Sequence, residues 1–141
     1  MELKGAPKIL AAALSAARRV NFKPLAVAVL HARGALRAFA AEDPTSLKRA
    51  EIATDKEAGA LTMAMGSRTL GTMAPQRPHF LAAATPVIGR MLVPVALGVL
   101  IRAGAGEPIG ALGICGDALD NDEASAVASI DAAGLQAAPG A

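Results

Sequence analysis

The shortage of large side chains is the feature that most constrains the fold of this chain. The sequence contains no tryptophan or tyrosine and only three phenylalanines, whereas alanine makes up about a quarter of the residues. The core must therefore be filled by small aliphatic side chains. Such a core closes only if the backbones of neighbouring elements lie near one another, so we predict tight backbone packing.

The length and polarity of the chain favour one domain that covers residues 1–141. Of the 141 residues, 53% are hydrophobic and 18% are charged, as in an ordinary globular protein. Fourteen basic and twelve acidic residues leave a formal charge of +2, which creates no broad phosphate-binding field. The missing aromatic residues also remove the stacking platforms that bind single strands, so we expect no nucleic acid partner.

A single cysteine, Cys115, limits the covalent and metal chemistry of the chain. It excludes an internal disulfide and a zinc site built from several thiolates. The chain therefore fits a reducing compartment, and we predict a cytoplasmic protein.

The N-terminal segment is predicted to form the first helix. Lys4 and Lys8 precede an apolar run, residues 9–17, that loosely resembles a signal peptide. A helix of the mature domain is favoured, because cations follow the run where a helix dipole attracts them. The apolar residues recur at helical spacing, namely Ile9, Leu10, Ala13 and Leu14.

The next segment predicts a hairpin followed by a second helix. Residues 25–30 form a short apolar strand, residues 31–34 a turn, and residues 36–39 a half-buried strand. Asp43 and Pro44 match the start of a helix, which Gly66 is predicted to end. The residues of this helix predicted to face the core are Leu47, Ala50, Ala58, Leu61 and Met65.

The most apolar part of the chain, residues 80–101, is long enough to cross a bilayer. Arg90 lies at its middle, and Pro86, Gly89 and Pro94 interrupt it, so we predict strands and no membrane association. The preceding residues, 67–78, are predicted to be a loop with one short helix near residues 69–73.

The last third predicts a second hairpin and a final helix. Two apolar runs, residues 93–101 and 108–115, flank a glycine-rich turn. A helix is expected from about Asp120, with Glu123 in the capping-box position. This order of elements lacks the strict alternation of a parallel sheet, so we predict an α+β layered domain with an antiparallel sheet flanked by helices.

Two histidines are the clearest candidates for metal or proton chemistry, since no standard catalytic motif is present. His31 ends a predicted strand and His79 lies in a proline-flanked loop. Each is a candidate ligand for a metal or haem iron, and His31 is also a candidate proton carrier. Ordinary turn or surface histidines are the alternative interpretation.

Two further segments contain candidate ligand-binding residues. Glu51, Asp55 and Lys56 lie close together on the second helix, where a solvated charged face is the alternative. Cys115 and Gly116 lie where a strand gives way to the final helix, a position whose free N–H groups can hold a carboxylate or phosphate. A cysteine there can equally be a small buried hydrophobic residue.

Four segments together carry a family pattern. Residues 26–39 (AVAVLHARGALRAF) are similar to a hydrophobic strand followed by Asp-x-x-Gly-x-Leu, and residues 51–58 (EIATDKEA) to the helix motif Ile-Ala-x-x-Lys-Ala, with Lys56 at the lysine. Residues 107–116 (EPIGALGICG) are similar to Val-Gly-Ala-Ile-Gly-Val-Ser-Gly, and residues 122–124 (DEA) to the acidic start of a last helix. Nearly the whole chain thus resembles the GlcG/HbpS family, whose domain is also the C-terminal domain of PduO-type proteins.

The resemblance implies a profilin-like layered fold, frequent homo-oligomerisation and a small-ligand pocket that accepts haem in some members. Three departures from the family pattern are consistent with a specialised pocket. His31 replaces an aspartate, Cys115 replaces a serine, and residues 95–99 read Val-Ala-Leu-Gly-Val where the family has Gly-Gly-Val-Pro.

Three functions follow from these observations as hypotheses. The leading one is a small-ligand-binding protein of this family, with haem as the candidate cofactor, acting as a cytoplasmic homo-oligomer. The second is an isomerase or lyase for a small carboxylated metabolite, in which Lys56 or His31 moves the proton and Gly116 helps to hold the carboxylate. The third is an assembly subunit without a ligand.

Overall fold

The computed structural model describes residues 4–90, 92–95, 97–104 and 106–140. Within these residues the chain forms five helices and five strands. In chain order they are α1 (Gly5–Arg19), β1 (Ala26–His31), β2 (Leu36–Ala41), α2 (Arg49–Met63), α3 (Ser67–Met73), α4 (Pro78–Ile88), β3 (Gly98–Arg102), β4 (Pro108–Cys115), α5 (Leu119–Ala132) and β5 (Gln136–Ala138).

The strands form one antiparallel sheet in the order β2-β1-β4-β3-β5. Helices α1 and α5 pack on one face, and α2 packs on the other against β1, β3 and β4. Both predicted hairpins, β1–β2 and β3–β4, are present. The predicted α+β class with an antiparallel sheet flanked by helices is therefore confirmed.

The two faces of the sheet differ in side-chain size. Residues alternate between faces along a strand, and β1, β3 and β4 place most of their large residues on the α1/α5 face, although Leu100 lies on the α2 face. The α2 face receives Gly98 and Gly113, where an added Cβ would lie 2.3 Å from the Lys56 carbonyl oxygen and 2.2 Å from that of Ala53. The backbone of α2 thus lies directly on the sheet, which is the tight backbone packing that the small side chains predicted. The large strand residues on the α1/α5 face are Val27, Val29, Val99, Ile101, Leu112 and Ile114.

Helix α1 confirms the predicted first helix and begins four residues before Ile9, at Gly5. Ile9, Ala13 and Ala17 are fully buried against the sheet and α5. The Arg18 guanidinium donates to the carbonyl oxygens of Phe22 and Lys23 and so fixes the chain after the helix.

The predicted start and end of α2 were wrong. The helix begins at Arg49, because residues 42–48 form a turn in which the Thr45 hydroxyl donates to the Glu42 carbonyl. Leu47 lies in that turn and is 90% exposed, so it is no part of the core. The helix ends at Met63, where Ala64 adopts a left-handed conformation, and Gly66 instead precedes α3.

The strands predicted for the beginning of residues 80–101 were also wrong. Pro78 opens the helix α4, and Gly89 ends it with φ of 75°. An unbroken apolar run has no period that separates helix from strand, which explains the error. Only the end of the run forms a strand, β3. No helix among the described residues has both the length and the apolar character needed to cross a membrane.

The last helix starts at Leu119, and the predicted capping box is absent. Ala118 occupies the N-cap position, and Glu123 binds Arg68 at 2.8 Å instead of capping the helix. Asp122 accepts the hydrogen bonds that hold the preceding turn. Strand β5, which the sequence did not predict, then pairs with β3 at the sheet edge.

Candidate functional site

A groove runs between α2, α4 and the β1–β2 turn, and we name it the α2–α4 groove. Its polar chamber has a volume of about 400 Å³ and is lined by Ala32, Arg33, Gly34, Ala58, Leu61, Thr62, Ile88 and Arg90. Its apolar chamber has a volume of about 430 Å³ and is lined by Thr62, Met63, Phe80, Ala83, Ala84, Val87 and Ile88. Because Thr62 and Ile88 line both, the chambers adjoin.

The polar chamber is electropositive. Arg33 and Arg90 are its charged lining residues. Arg90 Nε lies 3.2 Å from Asp55 Oδ1, whereas the Arg33 side chain forms no hydrogen bond or ion pair with a described residue. An anionic group entering this chamber would meet one free guanidinium and one that is shared with Asp55.

The apolar chamber exposes large side chains that a soluble helix ordinarily buries. Phe80 is 47% exposed and Val87 is 87% exposed, both on α4. Only Leu81 of the described α4 side chains is buried, in a cluster with Leu70 and Leu92. A concave apolar surface beside a few polar groups is typical of a small-ligand site.

His31 lies at the end of β1, where it pairs with Gly110 in the same row as Ile101. Ile101, Val27 and Val29 face α1 and α5, so His31 lies on that face of the sheet and is not a lining residue of the polar chamber. Its Nδ1 accepts a hydrogen bond from the Arg33 N–H at 3.2 Å. Partial desolvation, together with the charges of Arg37 and Arg33, lowers the pKa of His31 below its usual value. The imidazole is therefore neutral near pH 7, which is the form that binds metal ions.

His79 lies far along the chain from His31, in the first turn of α4, where it is exposed beside Phe80. Among the described residues, His, Cys, Asp and Glu form no group of three that could hold a metal ion. The two histidines therefore remain separate candidates, and neither is a lining residue of the two chambers.

The three residues predicted to act together on α2 lie in three different surroundings. Glu51 is solvent-exposed and binds Lys48 at 2.9 Å, and Asp55 binds Arg90. Lys56 is only 3% exposed and points to the other side of the helix. The alternative of a solvated charged face thus describes Glu51 alone.

Lys56 does lie near the predicted strand-to-helix site. Burial lowers the pKa of Lys56, and the charges of Cys115 and Asp122 partly offset that effect. Asp122 accepts hydrogen bonds from the N–H groups of Gly116 at 3.0 Å and Asp117 at 2.9 Å. The chain's own carboxylate thus occupies the anion position predicted at Gly116, and the catalytic role of Lys56 stays a prediction.

Glu57 is the most deeply buried ionisable residue of α2. It is 0% exposed, and its Oε2 accepts the Leu30 N–H at 3.1 Å, next to the irregular register between β1 and β2. Its Oε1 has no hydrogen-bond partner among the residues that the structure describes. Burial raises the pKa of Glu57 well above its usual value, so the carboxyl group holds its proton at moderate pH.

Sequence reasoning missed the groove residues that now stand out. Arg33 was treated as part of a turn, and Arg90 only as an interruption of an apolar run. The signal was nevertheless present, because a lone arginine within an apolar run has to reach water or an anion. The sequence around Thr62 and Met63 gave no comparable indication of a binding site.

Comparison with known proteins relates the chain to haem proteins. A family model described as haem degrading protein HbpS-like matches residues 1–131. No curated protein matches the sequence.

Several solved structures share the fold across the chain. A Klebsiella pneumoniae protein, ORFY, is 19% identical with a TM-score of 0.82, and the match covers 95% of this chain and 90% of that one. The haem complex of PduOC is 21% identical with a TM-score of 0.83, and the match covers 96% of each chain. HbpS is 22% identical with a TM-score of 0.77, over 94% of this chain and 89% of the other.

These comparisons confirm the family resemblance seen in the sequence motifs. The family match spans nearly the entire chain, and the shared fold includes the sheet and the helices that form the groove. The chain belongs to the HbpS-like haem degrading protein family.

Proposed function

We propose that this protein binds haem in the α2–α4 groove. The observation that carries the proposal is the joining of an electropositive chamber to an apolar one. Haem has the same division, with an apolar macrocycle and carboxylates at one edge. Membership of the HbpS-like family and the fold shared with a PduOC haem complex support the choice of ligand.

The residues of the groove fit such a ligand. Phe80, Val87 and Ile88 supply apolar contacts, and Arg33 and Arg90 supply donors for carboxylates. Bound haem provides an iron that binds small ligands or changes oxidation state. The protein's part is to hold the macrocycle, exclude water from one side of it and supply a ligand to the iron.

Three side chains are candidate iron ligands. The Met63 thioether lines the apolar chamber and is a known type of haem ligand. His79 is exposed in the first turn of α4, and His31 is neutral but lies on the α1/α5 face of the sheet. We assign the role to Met63 first, because it is the one of the three that lines the groove.

Homo-oligomerisation and a cytoplasmic location belong to the same proposal. Leu36 and Phe39 on the edge strand β2 are 56% and 42% exposed, which favours contact with a second copy. The single cysteine fits a reducing compartment. Light scattering across a concentration series tests the assembly, and a monomer at high micromolar concentration would contradict it.

A haemin titration followed by visible spectroscopy tests the binding itself. We expect a saturable, sharpened Soret band that Met63→Ala weakens or shifts and His31→Ala leaves unchanged. Ala83→Leu, which fills the apolar chamber, is expected to weaken binding at least tenfold. Ala82→Leu, an exposed neighbour outside that lining, is the matched control.

The titration separates the hypotheses. Loss of the band in His79→Ala alone would move the iron ligand to the first turn of α4. Haemin that does not saturate the wild-type protein would overturn the proposed function. If Ala82→Leu and Ala83→Leu changed haemin affinity equally, the ligand would lie outside the apolar chamber.

A further inference from the structure

We infer that Arg33 and Arg90 form a carboxylate-recognition pair in the polar chamber, and that Asp55 competes with the ligand for Arg90. The inference rests on the proposed ligand groove and specifies which groups select the ligand. It makes Asp55 a residue that weakens ligand binding, although the sequence suggested that Asp55 binds the ligand directly.

Arg33 is available to a ligand without any rearrangement. It lies in the β1–β2 turn, its side chain is exposed, and it has no ion-pair partner among the described residues. The turn is fixed by backbone bonds from Gly34 N–H to the His31 carbonyl at 2.8 Å and from Ala32 N–H to the Ile109 carbonyl at 3.1 Å. An exposed guanidinium on a turn that is fixed by these bonds suits capture of an anion in the chamber.

Arg90 is held on one side only. Its contact with Asp55 joins Nε to Oδ1 at 3.2 Å, and the two side chains are 44% and 22% exposed. A guanidinium has five N–H donors, so most of its hydrogen-bonding capacity is left for another acceptor. A half-exposed ion pair of this kind contributes little stability and is readily exchanged.

Arg90 also stands between two cavities. It lines the polar chamber and a second cleft of about 240 Å³, formed by Leu36, Phe39, Ala50, Glu51, Thr54 and Arg90. Arg90 lines the polar chamber while it is bound to Asp55, so Asp55 and a ligand carboxylate share the charge of one guanidinium. Asp55 therefore lowers the affinity of the chamber for an anion, because it offsets part of the attraction by Arg90 and itself repels the anion.

Among the described residues, the surroundings of Arg90 supply no second fixed anion. Glu57 is the other carboxyl group that interacts with Arg90, and its burial favours the protonated form. Glu51 lines the neighbouring cleft but is paired with Lys48. Asp55 is thus the competitor that the structure supplies, and the chemical class selected is an apolar body bearing one or two adjacent carboxylates.

The test uses protoporphyrin IX and its dimethyl ester, which differ in the carboxylates and contain no iron. Binding is followed by porphyrin fluorescence with wild type, Arg90→Gln, Arg33→Gln and Asp55→Asn. We expect wild type to bind the diacid about tenfold or more tightly than the ester, because two charge-assisted contacts are lost in the ester. Arg90→Gln and Arg33→Gln should each reduce this preference.

Asp55→Asn separates competition for Arg90 from a structural role of Asp55, because loss of a structural contact would not strengthen binding of the diacid alone. It should strengthen binding of the diacid severalfold and leave binding of the ester unchanged. Arg37→Gln, an exposed arginine on β2 that is absent from the chamber lining, should change neither. Thermal unfolding of each variant shows whether it is folded.

The outcomes distinguish this inference from the proposed function. Equal binding of diacid and ester overturns carboxylate recognition, while a saturable haemin titration would still support haem binding. Unchanged or weaker diacid binding by folded Asp55→Asn overturns the competition. Failure of wild type to bind haemin and both porphyrins overturns the proposed function and this inference together.

Discussion

The two faces of the sheet follow different packing rules. On the α1/α5 face, Val, Leu and Ile side chains from β1, β3 and β4 form a continuous aliphatic core. On the α2 face, Gly98 and Gly113 let the helix backbone touch the sheet, and Lys56 and Glu57 are buried with it. The first face resembles an ordinary core, whereas the second combines close backbone contact with buried ionisable groups.

This difference indicates a division of work within the domain. Packing on the α1/α5 face depends on the volume of the side chains. Packing on the α2 face depends on how closely the backbone of α2 approaches the sheet. Helix α2 carries Ala58 and Thr62 of the groove, so the contacts that seat α2 also position the ligand site. Substitutions on the two faces should therefore differ in what they damage.

The largest effect is expected from Leu112→Ala on the α1/α5 face. Leu112 is 0% exposed, and its removal leaves a cavity among Val27, Val99 and neighbouring residues. We expect a loss of about 2–5 kcal/mol in the free energy of unfolding, measured by urea denaturation. Haemin affinity of the folded fraction should stay within twofold of wild type, and a large loss of affinity would contradict the division between faces.

The adjacent residue tests the opposite face. Gly113→Ala places a methyl group against the Ala53 carbonyl and should cost about 1–3 kcal/mol as α2 moves away. This variant should also lose haemin affinity at least tenfold, unlike Leu112→Ala. Gly104→Ala is the control, because nothing lies within 4 Å of its added Cβ. If Gly113→Ala bound haemin as tightly as wild type, the position of α2 on the sheet would not determine the geometry of the groove.

Glu57 gives the α2 face a pH dependence of its own. Its pKa is raised in the folded state, so folded protein binds more protons than unfolded protein above the unfolded pKa of the carboxyl group. Stability is then greatest below that unfolded value and falls by at most about 1.4 kcal/mol per pH unit until the folded pKa is reached.

Glu57→Gln should remove this contribution. We expect the variant to match wild type near pH 4 and to exceed it in stability as the pH rises above 5. Urea denaturation at several pH values measures the difference. If the free energy of unfolding varied with pH in the same way in both proteins, Glu57 would not be the source of the pH dependence.

The smallest effect is expected from Glu51→Gln. Glu51 and Lys48 form an exposed pair at 2.9 Å, so its loss should change the free energy of unfolding by about 0.5 kcal/mol or less. Haemin affinity should not change, because Glu51 faces solvent outside the α2–α4 groove. A clear loss of affinity would restore the ligand role that the sequence suggested for it.

The sequence predicted elements whose signals were local and missed those fixed by tertiary contacts. Both hairpins and the first helix followed from apolar periodicity and turn residues, and the α+β class followed from their order. Helix α4 was misread because an uninterrupted apolar run carries no period. Strand β5 was missed because its pairing with β3 depends on residues distant in sequence.

The candidate site was less predictable than the fold. Lys56, Cys115 and Gly116 did come together, because the helix motif and the end of β4 are adjacent in the sheet architecture. Asp55 was predicted to bind a ligand, but the residue pattern of a single sequence could not show that Asp55 forms an ion pair with Arg90. Arg33 and Arg90 were missed, since they are far apart in sequence and line the same chamber only in the folded protein.

The location of bound porphyrin tests the central claim most directly. Gallium protoporphyrin IX is a diamagnetic substitute for haem that permits amide NMR spectra of the complex. We expect chemical-shift changes centred on residues 32–34, 58–63 and 80–90, with α1 and α5 little affected. Changes centred on α1 and α5, or saturable binding that leaves the α2–α4 groove unperturbed, would contradict it.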